Sequence, residues 1–269
     1  MPKFYEIKNQ TEMSNDLYIY GDIVTEKRME WDGNEWRPSE TDVDLKDFRE
    51  LVEGMTGNQT LNIFLNSGGG SVFAASAMVS MLKRAQARGV KVVTYIDGLA
   101  ASAASLFPMV SDESHIYSNS MLMIHKPIAT LFLAIMNANE LYKLGDELEA
   151  IESGTLIPIY KSRTKLTDQK LKNAIANETW YTADEIMENF DGFTLHEEEK
   201  SAAACTSDFF DRYRHTPEAF SQIADQTPAD QTPEPIPIPD EDNKKDIPDM
   251  KSVYQEYLNS LQKGKLQHD

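Results

Sequence analysis

Hydrophobic and polar positions along the first 200 residues change period several times, and each change marks a structural element. Short apolar and β-branched runs that end in turn residues predict strands at 16–23, 61–65, 90–96, 115–117 and 121–124. Apolar residues spaced three and four apart predict helices at 42–53, 71–84, 100–107, 137–165 and 167–177, with Gly154 and Pro158 interrupting the longest. Strands joined through a helix run parallel, so this order predicts an α/β fold.

The composition changes after residue 199. Residues 216–248 hold most of the prolines, and Gln-Thr-Pro occurs twice. Such a stretch cannot bury enough apolar surface to offset the entropy cost of ordering it, which predicts a disordered acidic linker. The predicted organisation is therefore a folded domain at 1–199, a helical or irregular extension at 200–215, the linker at 216–249 and a short helix within 250–269.

Charge and cysteine content exclude several classes of partner and site. The formal net charge of −18 disfavours binding to a nucleic-acid backbone or an anionic membrane. Cys205 is the only cysteine, so an internal disulfide or a cysteine-based metal cluster is impossible. The N-terminus lacks the pattern of a secretory signal, and the longest weakly polar run, 98–110, is too short to span a bilayer. We expect a cytoplasmic protein that needs no cofactor.

Two side chains suit acyl transfer, which needs a nucleophile and a base within hydrogen-bond reach. Ser102 lies in the Ala/Ser-rich segment, 98–105, that follows the strand predicted at 90–96, where the exposed N–H groups of a starting helix favour negative charge. His125 ends the predicted strand at 121–124, a place where catalytic groups are commonly presented. Each residue taken alone also fits a structural role: Ala/Ser runs permit close helix packing, and a histidine at a strand end can be purely structural.

The glycine triplet at 68–70 has two interpretations. It could cradle a phosphate, although neither a Walker lysine nor a dinucleotide fingerprint follows it. It could equally bring backbone N–H groups beside a substrate carbonyl. Spacing alone does not choose between them.

Taken together, three segments identify a family. Asn66-Ser-Gly-Gly-Gly-Ser-Val72, Gly98-Leu-Ala-Ala-Ser102 and Met123-Ile-His-Lys-Pro127 closely resemble, in this order and spacing, the signature blocks of the Clp protease proteolytic subunit. The resemblance extends from about residue 17 to about residue 195. It implies the Clp protease/crotonase-like fold of repeated β-β-α units, with a helical handle at about 137–165, and a ring-shaped homo-oligomer that acts on polypeptides.

The same resemblance assigns roles to residues. It implies that Ser102 is the nucleophile, His125 the general base, and the N–H groups of Gly70 and Ala103 the oxyanion donors. Where the family has Ser-Pro-Gly-Gly, this chain has glycine at position 68, a change that should loosen the turn but removes no donor.

The third catalytic position departs from the family pattern. The family's aspartate corresponds to Glu178, whose carboxylate can still accept a hydrogen bond from an imidazole; Asp168 and Asp184 are the alternatives. The Glu-Thr-Trp sequence at 178–180, the N-terminal extension and the Pro-rich acidic tail resemble the Clp-related head maturation proteases of tailed phages and prophages. That branch would process scaffold and capsid proteins inside a prohead in a bacterial host.

Three alternatives remain open at this point. A signal-peptide-peptidase-like hydrolase shares the fold but uses a Ser/Lys pair, and the Met-Ile-His-Lys-Pro block argues against it. A crotonase-type acyl-CoA enzyme uses the same scaffold without a serine nucleophile. A non-catalytic ring scaffold of the same fold is the third, and Glu178 in place of aspartate is the residue that favours it.

Overall fold

The computed structural model describes residues 5–8, 13–129, 135–197, 207 and 210–217. These residues belong to one compact unit of the chain, Met1–Gln226. Cys205, most of the predicted linker and the predicted helix within 250–269 lie outside the described residues.

The described chain begins with six short strands, after which helices and strands intermingle. The strands are β1 (Tyr5–Lys8), β2 (Ser14–Ile19), β3 (Ile23–Val24), β4 (Met29–Trp31), β5 (Trp36–Pro38), β6 (Val43–Asp44), β7 (Thr60–Ser67), β8 (Lys91–Ala101), β9 (Glu113–Tyr117), β10 (Met121–Ile124), β11 (Thr179–Thr182) and β12 (Phe193–His196). The helices are α1 (Leu45–Gly54), α2 (Val72–Ala87), α3 (Leu106–Val110), α4 (Ala138–Ile151), α5 (Ile157–Lys161), α6 (Asp168–Ala176) and α7 (Ala183–Asn189).

The central sheet is mainly parallel, which confirms the predicted α/β class. β2, β7 and β8 lie side by side in parallel, while β1 and β11 join the sheet as antiparallel neighbours of β2 and β10. Helix α2 connects β7 to β8, and it begins where the Ser71 hydroxyl caps the N–H of Ala74. Its apolar side chains Met78 and Leu82 are fully buried, a burial that contributes about 1.5–3 kcal/mol for each such side chain.

The two halves of β8 pair with different strands on one side, and this change of partner positions the candidate site. Its first half pairs with β9 and its second half with β10, both in parallel. Ala101 lies opposite Met123 in this second pairing. Because parallel strands end at the same edge of a sheet, the residues that follow, Ser102 and His125, come together there.

The structure corrects the strand end predicted at residue 96 and the helix predicted from residue 100. β8 continues through Ala101, and only then does a 3-10 turn, Ser102–Ser105, lead into α3. Ala100 and Ala101 are fully buried within the sheet, since Ala100 pairs with both β7 and β10. Small side chains therefore serve a buried strand here, although the same run is typical of close helix packing.

The long helix predicted over 137–165 is divided close to the expected interruptions. α4 is followed by a π-helical turn, Glu152–Leu156, that contains Gly154, and Pro158 lies in the first turn of α5, where a missing N–H costs little. No residue of α4 is buried, and Leu141 and Tyr142 are 48% and 74% exposed. In one copy of the chain this helix therefore leaves apolar side chains uncovered.

Candidate active site

Ser102 occupies a strained turn at the end of β8. Its φ is +51°, a conformation that a non-glycine residue adopts at a cost of about 1–3 kcal/mol. The hydroxyl of Ser105 donates to the Ser102 carbonyl at 2.5 Å and lies 2.7 Å from the hydroxyl of the buried Tyr160. Ser105 and Tyr160 thus brace the turn from the core side and leave the Ser102 side chain facing the cleft.

His125 lies within hydrogen-bond reach of Ser102. Its Nε2 is 2.6 Å from Ser102 Oγ. If the hydroxyl donates, the ring proton must reside on Nδ1. Burial lowers the pKa of His125 from its ordinary 6.5 to about 4, and the negative charge of Glu178 opposes part of that change. The imidazole is therefore neutral at pH 7 and ready to accept a proton.

The glycine turn packs directly against Ser102. Gly69 and Gly70 have φ of +103° and +141°, which L side chains rarely adopt. A Cβ on Gly69 would lie 2.8 Å from Ser102 Cβ, and one on Gly70 would lie 2.1 Å from the carbonyl oxygen of Ile23. Gly70, Ser102 and Ala103 line the same cleft, as the predicted oxyanion donors require.

The cleft above these residues is mostly apolar. Its volume is about 380 Å³, within the range of small-ligand pockets. Its apolar walls come from several elements and include Ile23, Val24, Val72, Phe73, Ile128 and Leu156. A mostly apolar cleft of this kind suits the side chains and backbone of an extended peptide.

The Glu178 carboxylate is buried near His125 but is bound elsewhere. Its two oxygens accept the backbone N–H groups of His215 at 2.7 Å and Arg214 at 2.9 Å. Within the part of the chain that the structure describes, no hydrogen bond joins Glu178 to His125. Its influence on the imidazole is that of a nearby negative charge.

The two alternative acids are distant from this arrangement. Asp168 and Asp184 are exposed in the first turns of α6 and α7, where the helix dipole stabilises a carboxylate. Asp168 pairs with Lys161 at 2.5 Å. Neither residue lines the cleft.

The described residues beyond β12 return to the site, which sequence reasoning missed. Residue 207 and residues 210–217, here called the wall segment, include Arg212 and Tyr213, which line the cleft beside His125. The Tyr213 ring meets the His125 ring edge to face, with centroids 5.1 Å apart. The available signal was three aromatic residues, Phe209, Phe210 and Tyr213, close together in the predicted extension at 200–215.

Comparisons with known proteins agree with this geometry. A model of the Clp protease family matches residues 50–189, more than half of the chain. The chain is 29% identical over 126 residues to the ATP-dependent Clp protease proteolytic subunit 1 of Protochlamydia amoebophila (strain UWE25). That alignment covers 46% of this chain and 59% of the relative, so the chain spans about three fifths of the relative it matches. The family match includes the glycine turn, Ser102, His125 and Glu178, and it ends before the wall segment.

Proposed function

The chain belongs to the Clp protease family, and on that premise we propose that it is a serine endopeptidase with Ser102 as nucleophile and His125 as general base. The observation that carries the proposal is the 2.6 Å separation of Ser102 Oγ and His125 Nε2 in a buried site. A neutral imidazole at that distance can take the hydroxyl proton as the oxygen attacks a carbonyl.

The proposed reaction follows from the positions of these groups. Ser102 Oγ bonds to the substrate carbonyl carbon while its proton passes to His125 Nε2, and the developing oxyanion is stabilised by the N–H groups of Gly70 and Ala103. His125 then gives that proton to the leaving amine, which breaks the peptide bond and leaves an acyl-enzyme. The same nitrogen then deprotonates a water molecule, which attacks the acyl-enzyme carbonyl. The bond to Ser102 Oγ breaks, the carboxylic acid product leaves, and His125 returns the proton to Ser102.

Glu178 is the proposed acid of the site, acting through charge. Its carboxylate stabilises the imidazolium that forms as Ser102 loses its proton, in agreement with its effect on the pKa of His125. Because its oxygens are occupied by Arg214 and His215, this stabilisation acts across space and not through a shared hydrogen bond.

The rival mechanisms have less support from the structure. A Ser/Lys pair would need a lysine amine beside the Ser102 hydroxyl. Lys126 is half exposed, and its Nζ lies 3.2 Å from Glu152. A crotonase-type enzyme or a non-catalytic scaffold would not require the close contact of Ser102 with a buried histidine.

Labelling with a fluorophosphonate probe tests the proposal most directly. We expect the full chain to be labelled at Ser102 and the Ser102→Ala variant to remain unlabelled and to lose peptide turnover by about 10⁴ or more. Ser118→Ala is the matched control because Ser118 is exposed. Ser105→Ala would be a poor control, since Ser105 braces the nucleophile. Equal turnover in Ser102→Ala and the parent chain would end the proposal.

The biological setting that we propose is phage head maturation in a bacterial host, within a homo-oligomeric ring. Glu178-Thr-Trp180 and the Pro-rich acidic tail support this branch, and the uncovered apolar side chains of α4 support self-association. Co-expression with phage capsid and scaffold proteins should yield defined cleavage products in mass spectra, and Ser102→Ala should not. Intact capsid and scaffold proteins beside an active peptidase would exclude this setting.

A further inference from the structure

The wall segment is anchored to the catalytic unit at several points. Ser207 Oγ donates to Asp22 at 2.6 Å, the Tyr213 hydroxyl donates to the Gly68 carbonyl, and Glu178 accepts the N–H groups of Arg214 and His215. Phe210 and Tyr213 are 7% and 8% exposed, and they pack in one cluster with Leu99, Ala101 and Met123. The segment is therefore a packed part of the site.

Gly68 provides an independent observation that points to the same segment. Its φ lies outside the left-handed region, so its backbone does not require glycine. A Cβ at this position would lie 2.4 Å from Ser207 Oγ and 3.3 Å from the ring of Phe210. The absence of a side chain, at the position where the signature block otherwise has proline, makes room for the wall segment.

Tyr213 connects the base to the glycine turn. Its ring edge meets His125 with an interplanar angle of 79°, an arrangement that restricts rotation of the imidazole. Its hydroxyl binds the carbonyl of Gly68, at the start of the turn that continues into Gly70. One side chain thus contacts both His125 and the loop that carries the proposed oxyanion donor.

We propose that Tyr213 is a positioning residue for His125 and the oxyanion turn, and that Glu178 anchors the wall segment that carries it. This inference rests on the proposed serine-peptidase function. It assigns part of the reaction machinery to residues that lie beyond the family match, which ends at residue 189. Glu178 has two tasks: its charge acts on His125, and its oxygens bind the backbone on which Tyr213 is mounted.

Full-length variants separate a positioning role from a structural one. Tyr213→Leu removes the ring, and it should lower both the rate of fluorophosphonate labelling and kcat by roughly ten- to a hundredfold, because His125 loses its alignment. Tyr213→Phe keeps the ring edge and should recover most of the labelling rate. Gly68→Ala should reproduce the Tyr213→Leu defect by displacing Ser207 and Phe210, while Gly54→Ala, where a Cβ meets nothing within 4 Å, should match the parent chain.

Circular dichroism and thermal melting of each variant are the check that the fold is retained. If Tyr213→Leu does not fold, Gly68→Ala still tests the inference. Parental labelling rate and kcat in Tyr213→Leu or Gly68→Ala would overturn the inference. A rise in KM alone would also overturn it, because the wall segment would then only bind substrate. A faster labelling rate would overturn it in favour of a segment that blocks the cleft. Absence of Ser102 labelling in the parent chain would refute the proposed function itself, a result distinct from all of these.

Discussion

At the scale of single residues, the candidate site combines a strained serine, Ser102, with a buried histidine, His125. The positive φ of Ser102 and the depressed pKa of His125 both cost stability that the surrounding packing must supply. In the unfolded chain His125 binds a proton near pH 6.5, and in the folded chain only near pH 4. The free energy of unfolding therefore falls as the pH drops through this interval, since the unfolded state takes up the extra proton.

The sequence predicted that Ser102 and His125 act together, and the structure brings them into contact, but no sequence pattern predicted the groups that bind the Glu178 carboxylate. Ser102 and His125 each belong to a compact motif of neighbouring residues, so short segments identify them. The groups that bind the Glu178 carboxylate are backbone N–H groups 36 and 37 residues further along the chain. A backbone donor carries no residue-type signal, and so no sequence pattern indicated this contact.

Replacing Glu178 with Gln removes its charge and also exchanges one of the two acceptor oxygens that bind Arg214 and His215 for a donor. The carboxylate raises the pKa of His125, so its loss should move the acid limb of kcat/KM to lower pH. Turnover at pH 7 should fall roughly 10- to 100-fold, less than the ~10⁴ of the serine-protease template, because no hydrogen bond to the imidazole is lost. Asp184→Asn serves as the control at an exposed carboxylate. A pH profile and a turnover number equal to those of the parent would remove Glu178 from the reaction.

At the scale of elements, β8 has the largest influence on the site. Its first half was predicted from its β-branched residues, while the strand was predicted to end at residue 96 and a helix to begin at residue 100. Gly, Leu and Ala carry little strand preference, and only the pairing with β7 and β10 makes them a strand. Tertiary contacts therefore determine the strand conformation of the residues that lead to Ser102.

The helix α4 carries a prediction about assembly. Glutamates in place of Leu141 and Tyr142 should reduce the oligomer to smaller species in light scattering, because charge on the uncovered face opposes its burial between copies. The fold of each copy should survive, since α4 buries no residue. Ser80→Glu, on the exposed surface of α2, is the control. A parent chain that is monomeric at micromolar concentration would contradict the proposed ring.

At the scale of the whole molecule, residues beyond the predicted domain end pack against the candidate site. The sequence prediction placed that end at residue 199, where composition changes and recognisable motifs stop. Phe210 and Tyr213 are nevertheless buried against Leu99, Ala101 and Met123. Three aromatic residues in a short extension are too small a pattern to predict docking onto a site more than 80 residues earlier in the chain.

Two truncated chains test this boundary. A chain that ends at Pro217 keeps every described contact of the wall segment, so its turnover of small peptides should stay within about twofold of the parent. A chain that ends at residue 206 loses Tyr213 and should lose turnover by roughly ten- to a hundredfold. Steady-state kinetics on one fluorogenic peptide compare the two. Similar turnover in both truncated chains would show that the segment is dispensable.

The hydrogen bond from Ser207 to Asp22 joins residues 185 positions apart. Contacts of such long range form late, and a chain under synthesis folds from its N-terminus as it leaves the ribosome. Ser102 and His125 can therefore meet while the wall segment is still in the exit tunnel. If Tyr213 aligns His125, the proposed site is complete only once residue 217 has emerged from the ribosome.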